Sequence, residues 1–366
     1  MTERERVLAV FRREVPDRTP WFGDLSWWYN TRKEKGNLPE RWQGETGYLK
    51  FHQEAGCGIY LYAPCLYQQS FDESVKVESK QEGLVGVTTI TTPVGTVRSL
   101  QQRLPGSGTS AYVEHFVKKP EDLKVMRYFF NHRHFQPAYV EFEKIDNLWN
   151  GWGIPCATAP CCTSTLQTLL TRWAGVTTTI ELLQIARGEV ELTIEEVQAS
   201  DEPIFEILAA SPALLFCLPE NLSGQITGRF LMEKYELAYW EKRVSQLHRT
   251  GKYVILHNDG TLRASLPLLL TTSLDGIEAV TPEPAGDMTL EEIEQMVSGK
   301  KVIWGGLPGV FFSPRYSEEF FVAYVKQVLK TFPRGWPFVL GVADQVPPDA
   351  EWSRIRLVRD LVEEYG

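Results

Sequence analysis

The chain has 366 residues, of which 43% are hydrophobic and 23% are charged, and its formal net charge is −9. These proportions are typical of a globular protein with a sizeable core, and the length suits one large barrel domain. The negative charge, without a basic stripe, argues against nucleic-acid binding. No apolar run approaches the roughly 20 residues that cross a membrane. The charged N-terminus lacks the apolar segment of a signal peptide, so we expect a cytoplasmic protein.

Short apolar runs recur along the chain, each followed by a helical pattern. Such continuous runs fit parallel strands that are covered on both faces, and the strict alternation after about Ala213 indicates βαβ units. The sequence therefore predicts an α/β fold, a (β/α)8 or TIM barrel with an N-terminal helical extension, forming a single domain over residues 1–366. The eight predicted strands are Thr19–Gly23, Gly58–Tyr62, Gly153–Thr158, Ala213–Leu218, Lys252–His257, Gly276–Val280, Lys301–Gly305 and Pro337–Val342.

The first half of the chain departs from this alternation. Gly86–Ile90 and Gly95–Leu100 predict an inserted β-hairpin with Pro93 in its turn, because proline cannot donate to a ladder. Pro120 and the acids after it predict the start of a helix. We interpret residues 72–150 as an excursion that covers or lines the barrel mouth. The glycine-dense runs do not complete G-x-G-x-x-G, which argues against a Rossmann sheet.

The helices of the second half carry start and stop signals. Thr289 and Glu292 have the spacing of a capping box, and Gly251 is a suitable residue to end the helix before it. The predicted helices are Phe230–Thr250, Thr289–Ser298, Ser317–Phe332 and Pro348–Tyr365.

The six cysteines include no C-x-x-C pair, and all lie in apolar stretches. This usage predicts reduced, buried thiols rather than a disulfide framework. The adjacent Cys161 and Cys162 leave a metal-binding alternative open, although vicinal cysteines are a weak signal.

Polar residues follow several of the predicted strands, at the end of a barrel where catalytic groups lie. Glu220 follows the fourth strand, His257 and Asp259 end the fifth, and Asp344 follows the eighth. One imidazole with carboxylates suits zinc or a harder divalent ion. We predict these four residues as metal ligands, with Glu220 and His257 also catalytic. Gly260 would permit the turn that directs His257 and Asp259 inward.

Other residues near these strand ends are candidates for substrate contact. Tryptophan rings stack on flat substrates, and two amide side chains follow Glu220 along the chain. Asp24, after the first strand, is expected to be a solvated loop residue. The predicted substrate-contacting residues are Asn221, Gln225, Trp27, Trp28 and Trp152.

Several short motifs occur in an order that belongs to a known superfamily. Residues 4–9 (RERVLA) with 15–20 (VPDRTP), 92–96 (TPVGT) and 251–260 (GKYVILHNDG) resemble segments of the uroporphyrinogen decarboxylase superfamily. The second resembles its T-P-x-G-T hairpin, and the third its G-K-x-x-x-x-H-x-C-G segment. The resemblance runs nearly end to end and implies a (β/α)8 barrel.

The resemblance also distinguishes between branches of the superfamily. The decarboxylases carry an R-Q-A-G-R segment where this chain has residues 22–28 (FGDLSWW), so an octacarboxylate should be repelled. The resemblance points instead to the corrinoid-linked methyltransferases. Members that activate a thiol bind zinc with His-x-Cys and a later Cys. Here Asp259 and Asp344 occupy the two cysteine positions, which makes a harder, more Lewis-acidic centre.

The O-demethylases of this superfamily resemble the pattern better, with Glu220 where their glutamate ligand falls. The implied function is transfer of a methyl group from a small methyl ether, often aromatic, to the Co(I) corrinoid of a partner protein, with zinc as the metal. One alternative is a decarboxylase-like lyase on a small carboxylic acid, without corrinoid, using Arg98, Arg172 or Arg263. Another is a non-catalytic binding barrel.

Overall fold

A computed structural model describes residues 1–105, 109–158 and 163–366. Cys161 and Cys162 lie outside the described residues. The first half of the chain combines helices with mainly antiparallel strands. In chain order these elements are α1 (Glu3–Phe11), α2 (Ser26–Glu34), α3 (Gly47–Ala55), β1 (Tyr67–Phe71), β2 (Lys76–Glu82), β3 (Val85–Thr92), β4 (Gly95–Arg103), β5 (Ser110–Glu114), α4 (Pro120–Asn131), β6 (Arg133–Pro137) and α5 (Val140–Trp149).

The second half alternates between strands and helices, as predicted. Two five-residue π-helical segments, Leu169–Trp173 and Met232–Glu236, follow α6 and α10. The elements are β7 (Cys156–Thr158), α6 (Thr165–Thr168), α7 (Gly175–Ile185), α8 (Arg187–Ser200), α9 (Glu202–Ala210), β8 (Leu215–Leu218), α10 (Gly224–Leu231), α11 (Leu237–His248), β9 (Tyr253–His257), α12 (Leu266–Leu269), β10 (Gly276–Val280), α13 (Leu290–Val297), β11 (Val302–Pro308), α14 (Glu318–Thr331), β12 (Phe338–Ala343) and α15 (Trp352–Tyr365).

A parallel six-stranded sheet forms the centre of the molecule, in the order β12-β11-β10-β9-β8-β7. Neighbours in the sheet are also neighbours along the chain, as successive βα units require. Strands β8, β10, β11 and β12 are buried along their whole length, which explains their continuous apolar sequences. Six of the eight predicted strands are thereby confirmed.

The first two predicted strands form isolated parallel bridges instead. Trp21 bridges Leu340 of β12, and Ile59 bridges Gly153 just before β7. The two segments also meet each other, because the Gly58 N–H donates to the Trp21 carbonyl at 2.8 Å. The prediction of regular strands here was too strong. Pro20 has no N–H to donate, and this shortens the ladder beside β12.

The N-terminal helix α1 packs against the amino ends of the strands of the parallel sheet. Phe11 packs against Tyr253, the first residue of β9, with ring centroids 5.1 Å apart, and against Trp304 at 6.5 Å. Val7 and Phe11 belong to the same buried cluster as Trp304 and Ile255. The amino ends of the strands are therefore closed by apolar packing, and the carboxyl ends are the edge that can carry polar chemistry.

The excursion between residues 72 and 150 contains the predicted hairpin. Strands β3 and β4 pair antiparallel from Val85↔Gln102 to Thr92↔Gly95, with Pro93 in the turn. Strands β2 and β5 extend the hairpin to a four-stranded sheet, and β1 pairs separately with β6. The helix predicted at Pro120 is α4, with that proline in its first turn.

The predicted helix signals act as expected, although two boundaries differ. Thr289 caps α13 through a complete capping box with Glu292. The helix predicted over 230–250 is divided by the π-helical segment, and α15 begins only at Trp352. No helix within the described ranges is long and apolar enough to cross a bilayer. Cys57, Cys156 and Cys217 are buried free thiols as predicted, whereas Cys65 is exposed.

Candidate functional site

Three of the four predicted metal ligands converge at the carboxyl ends of β9 and β12. His257 Nε2 lies 3.9 Å from Asp259 Oδ2 and 4.0 Å from Asp344 Oδ1. One ligand atom from each residue lies within 4.8 Å of the other two. The convergence arises because His257 ends β9 and Asp344 directly follows β12, so parallel strands bring residues 87 positions apart in sequence to one edge.

The spacing fits a small divalent cation. Tetrahedral zinc with bonds of about 2.0–2.1 Å separates its ligand atoms by roughly 3.3 Å. To complete the site, His257 would have to approach each aspartate by roughly 0.6–0.7 Å, and the two aspartates would have to approach each other by up to roughly 1.5 Å. The side chains of His257, Asp259 and Asp344 are 17%, 31% and 50% exposed. Three protein ligands beside solvent leave a coordination position for a substrate, as in catalytic zinc sites.

A buried carboxylate orients the imidazole. Glu278 Oε2 contacts His257 Nδ1 at 2.5 Å, and the Tyr60 hydroxyl donates to Glu278 Oε1 at 2.8 Å. Glu278 pairs with His257 in the parallel register of β9 and β10. This leaves Nε2 directed at the two aspartates. A carboxylate on the distal nitrogen is the usual support for a metal-binding histidine.

The electrostatics of the group favour a cation. Burial disfavours the charged imidazolium, but the carboxylates of Glu278 and Asp259 outweigh burial and raise the pKa of His257 to about 10. Burial, reinforced by the charge of Asp259, also raises the pKa of Asp344 to about 6, although His257 opposes that change. In the metal-free state the imidazolium therefore carries the positive charge among these carboxylates, and a metal would displace its proton.

Left-handed backbone conformations cluster at this edge of the sheet. Asp344 has φ 65°, Asn221 has φ 46°, and Ala279 has φ 60° at a β-bulge beside Glu278. Non-glycine residues in this region are uncommon and concentrate at functional sites. Gly260, in contrast, has no positive φ. A Cβ there would lie 2.4 Å from the Ser223 side chain, so this glycine permits a close approach at the bend in the chain.

Glu220, the fourth predicted ligand, lies outside this group and belongs to a separate buried cluster. The Ser164 N–H and the Trp240 indole donate to Glu220 Oε1 at 2.8 and 3.0 Å. The Ser164 hydroxyl lies 2.9 Å from Glu220 Oε2 and 3.0 Å from Glu236 Oε1. Because a hydroxyl has one proton, both contacts are hydrogen bonds only if a carboxyl group also donates.

Burial accounts for the protonation of this cluster. Both glutamates are fully buried, and this burial raises the carboxyl pKa of Glu220 and of Glu236, the latter further through the charge of Glu220. The pair therefore retains a proton at neutral pH, which satisfies the hydrogen-bond requirement of Ser164.

The predicted substrate contacts are distributed over different parts of the molecule. Asn221 and Gln225 are exposed and follow β8 at the carboxyl edge. Trp28 is 2% exposed and stacks with Phe51 in the core, and this burial argues against contact with a substrate. Trp152 precedes β7 at the amino edge, and its indole donates to the Cys57 carbonyl at 3.0 Å.

Trp27 is half-buried at the start of α2. Asp24 was expected to be solvated but is 6% exposed. Its carboxylate accepts hydrogen bonds from the Ser26 N–H at 2.7 Å and the Gln345 side chain at 2.9 Å. The expectation failed because the start of α2 and the loop that follows β12 cover this position.

Three polar residues of the site and of the glutamate cluster were missed at the level of sequence. Glu278 is the only charged residue in the otherwise apolar β10, and this was the signal that it has a buried partner. Glu236 lies in a helical pattern and Tyr60 in an apolar run, and neither carries a comparable local signal. Their partners, Ser164 and Glu278, are 72 and 218 residues distant in sequence.

Comparison with known proteins gives a structural likeness without a sequence match. No protein-family model and no curated protein matches the sequence. A methyltransferase from Methanosarcina mazei has a similar structure, with a TM-score of 0.63 and 11% identity over 100% of this chain and 99% of that one. A pneumococcal exo-β-D-N-acetylglucosaminidase aligns at a TM-score of 0.34 and 12% identity over 63% and 64% of the two chains. The chain thus shares its fold with the archaeal methyltransferase.

Proposed function

We propose that this protein is a metal-assisted methyltransferase that moves a methyl group from a small methyl ether to the Co(I) corrinoid of a partner protein. The observation that carries the proposal is the convergence of His257, Asp259 and Asp344 at a strand-end edge. The shared fold with a methyltransferase supports it. Because fold does not determine function, the donor, the acceptor and zinc itself are part of the proposal.

The proposed chemistry assigns distinct roles to the residues at this edge. The carbon–oxygen bond of the ether breaks, its electron pair stays on oxygen, and the methyl group is attacked by the electron pair of Co(I). A bound zinc ion would supply Lewis acidity toward the departing oxygen. His257, Asp259 and Asp344 would hold that ion, and Glu278 would hold the imidazole with Nε2 outward. Asn221 and Gln225, which are exposed and follow β8 at the carboxyl edge of the sheet, would contact the substrate.

The proposal includes the architecture of the barrel. Backbone hydrogen bonds join β12 to residues 20–22, and the Gly58 N–H donates to the Trp21 carbonyl. On the other side, the N–H groups of Ile154 and Cys156 donate to the carbonyls of Ile59 and Tyr60. These links support closure of the six-stranded sheet into an eight-segment (β/α)8 barrel through the two bridged segments. The strand-end site would then lie at the barrel mouth, where catalytic residues of such barrels are found.

A lyase acting on a small carboxylic acid is the second candidate. The raised pKa of His257 favours it, because a protonated imidazole can donate a proton to a carbanion after loss of carbon dioxide. This reaction needs neither metal nor corrinoid, so metal content separates the two candidates.

The first experiment measures zinc by plasma mass spectrometry in wild type and in His257→Ala, both purified without added metal. The proposal expects about one zinc per wild-type chain and a loss in the variant. Zinc-loaded protein is then incubated with 2-methoxyphenol and free cob(I)alamin, and methylcobalamin is followed by its absorbance. Asp349→Asn is the matched control, because this exposed carboxylate pairs with Ser313 instead.

The outcomes separate the steps of the proposal. Absence of zinc in wild type, even after reconstitution, would refute the metal mechanism and favour the lyase. Zinc that persists in His257→Ala would place the metal elsewhere. Zinc binding without methyl transfer to cobalamin from any methyl ether would refute the assigned reaction while leaving the metal site intact.

A further inference from the structure

A cavity of 460 Å³ lies apart from the metal ligands. Its walls come from the β1–β6 pair, the end of α4, α6 with the π-helical segment after it, and α8. The aromatic rings of Phe130 and Trp173 form part of the apolar wall, with centroids 4.5 Å apart. This volume is within the range of small-molecule sites, which combine apolar walls with a few polar groups.

Arg172 brings an unpaired positive charge to this cavity. Of the three arginines that the sequence offers for a carboxylate, Arg98 pairs with Glu114 at 3.2 Å and Arg263 with Glu292 at 3.0 Å. The half-buried Arg172 side chain has neither an ion pair nor a hydrogen bond to any residue in the described ranges. It belongs to the π-helical segment Leu169–Trp173, and such segments are frequent at functional sites.

A hydroxyl group without a partner lines the same cavity. Thr165 is 2% exposed, and its hydroxyl makes no hydrogen bond within the part of the chain that the structure describes. Thr163 and Thr168, which also line the cavity, donate to the Pro219 and Ser164 carbonyls. The Thr165 hydroxyl is therefore available to donate to a ligand in the cavity.

The remaining charges in the wall neutralise each other. Arg133 donates to Asp201 at 2.8 Å, and both side chains are almost fully buried. The Arg133 guanidinium also donates to the Phe130 carbonyl and the Ser200 hydroxyl. This pair therefore fixes the wall without adding net charge, and Arg172 leaves the cavity with one positive charge.

We propose that this cavity binds the carboxylate of a small organic acid, with Arg172 pairing the anion, Thr165 donating a hydrogen bond, and the aromatic wall contacting the apolar body of the ligand. The planar guanidinium matches a carboxylate in a bidentate pair. One cation among apolar walls suits a monoanion with a hydrophobic body better than it suits phosphate.

The cavity adjoins the buried glutamate cluster. Thr163 and Thr165 flank Ser164, which contacts both Glu220 and Glu236. Arg172 is close enough for its charge to oppose the effect of burial on the pKa of Glu220. A carboxylate bound by Arg172 and Thr165 would therefore lie beside this cluster, in which Ser164 and Glu220 follow β7 and β8.

The test is calorimetric titration of metal-free, full-length protein with benzoate, benzamide and inorganic phosphate. We expect benzoate to bind more tightly than either of the other two probes, because benzamide lacks the charge and phosphate lacks the apolar body. Arg172→Gln should weaken benzoate binding by about ten- to a hundred-fold. Arg172→Lys should retain part of the affinity, and Arg263→Gln, which removes an exposed arginine, should leave it unchanged.

The variants keep the proposal independent of folding and of the metal chemistry. Within the described ranges Arg172 makes no ion pair or hydrogen bond that the variant would lose, so the melting temperature of Arg172→Gln should stay close to that of wild type. Thr165→Val provides a second, neutral variant and should weaken benzoate binding without changing charge. Equal affinity for benzoate and benzamide, tighter binding of phosphate, or unchanged benzoate binding in Arg172→Gln would each overturn the proposal. None of these readouts depends on zinc or on methyl transfer.

Discussion

Replacement of Asp344 by asparagine tests the metal site with little disturbance of the fold. Asp344 has φ 65° and is half-exposed, and its carboxylate points at His257 Nε2 from 4.0 Å. Asparagine is among the few residues that tolerate a left-handed backbone. The free energy of unfolding should therefore change by no more than about 0.5 kcal/mol.

The expected loss of metal affinity follows from the ligand count. Four-ligand structural zinc sites bind with about 10–16 kcal/mol, or roughly 3 kcal/mol per ligand. Asparagine keeps an oxygen donor and loses only the charge, so we expect a loss of about 1.5–3 kcal/mol. This corresponds to a rise in the zinc Kd of about ten- to a hundred-fold.

The assay is competition for zinc with a chromophoric chelator, in wild type, Asp344→Asn, Asp349→Asn and Glu220→Gln. Asp349→Asn should match wild type, since Asp349 accepts a hydrogen bond from Ser313. Glu220→Gln should also match it, since Glu220 contacts Ser164 and Trp240 instead. Wild-type affinity in Asp344→Asn, together with a loss in Glu220→Gln, would refute the reasoning and move the site to the glutamate cluster.

Three further predictions concern the support of the site and the core. Glu278→Gln should weaken zinc binding about ten- to a hundred-fold in the same chelator assay, because Glu278 orients His257. Tyr60→Phe should weaken zinc binding less. Unchanged zinc affinity in both variants would show that Glu278 does not have this role. Burial raises the pKa of Glu220 from its usual 4.5 to about 7, so the stabilising contribution of its protonated form is full below pH 4.5 and is lost as pH rises through 7. The free energy of unfolding, measured with urea, should accordingly fall less between pH 5 and pH 8 in Glu236→Gln than in wild type. The exposed Glu181→Gln is the control and should behave as wild type does. An equal fall in Glu236→Gln and wild type would contradict this prediction. Trp304→Ala should lower the free energy of unfolding by about 3–5 kcal/mol. The reason is that the buried indole of Trp304 packs on Tyr60 with ring centroids 4.5 Å apart and donates to the Phe22 carbonyl at 2.8 Å. A loss below about 1 kcal/mol, measured by chemical denaturation, would show that the interior repacks.

Local patterns in the sequence determined the elements of the second half of the chain. Thr289 with Glu292 marked the start of α13, and continuous apolar runs marked the six strands of the parallel sheet. They also placed His257, Asp259 and Asp344 at strand ends, which parallel pairing then brought together. These predictions succeeded because capping, periodicity and burial depend on residues within a few positions of one another.

Only the tertiary structure decided which side chains meet across the fold. The sequence treated Glu220 as equivalent to Asp344, but β8 and the π-helical segment Met232–Glu236 direct Glu220 to Glu236 and Ser164 instead. Likewise, the sequence does not distinguish Arg172 from Arg98. In the structure Arg98 pairs with Glu114, whereas Arg172 lines a cavity. Such contacts join residues far apart along the chain. Their formation depends on strand register and helix packing, which the composition of a single segment does not encode.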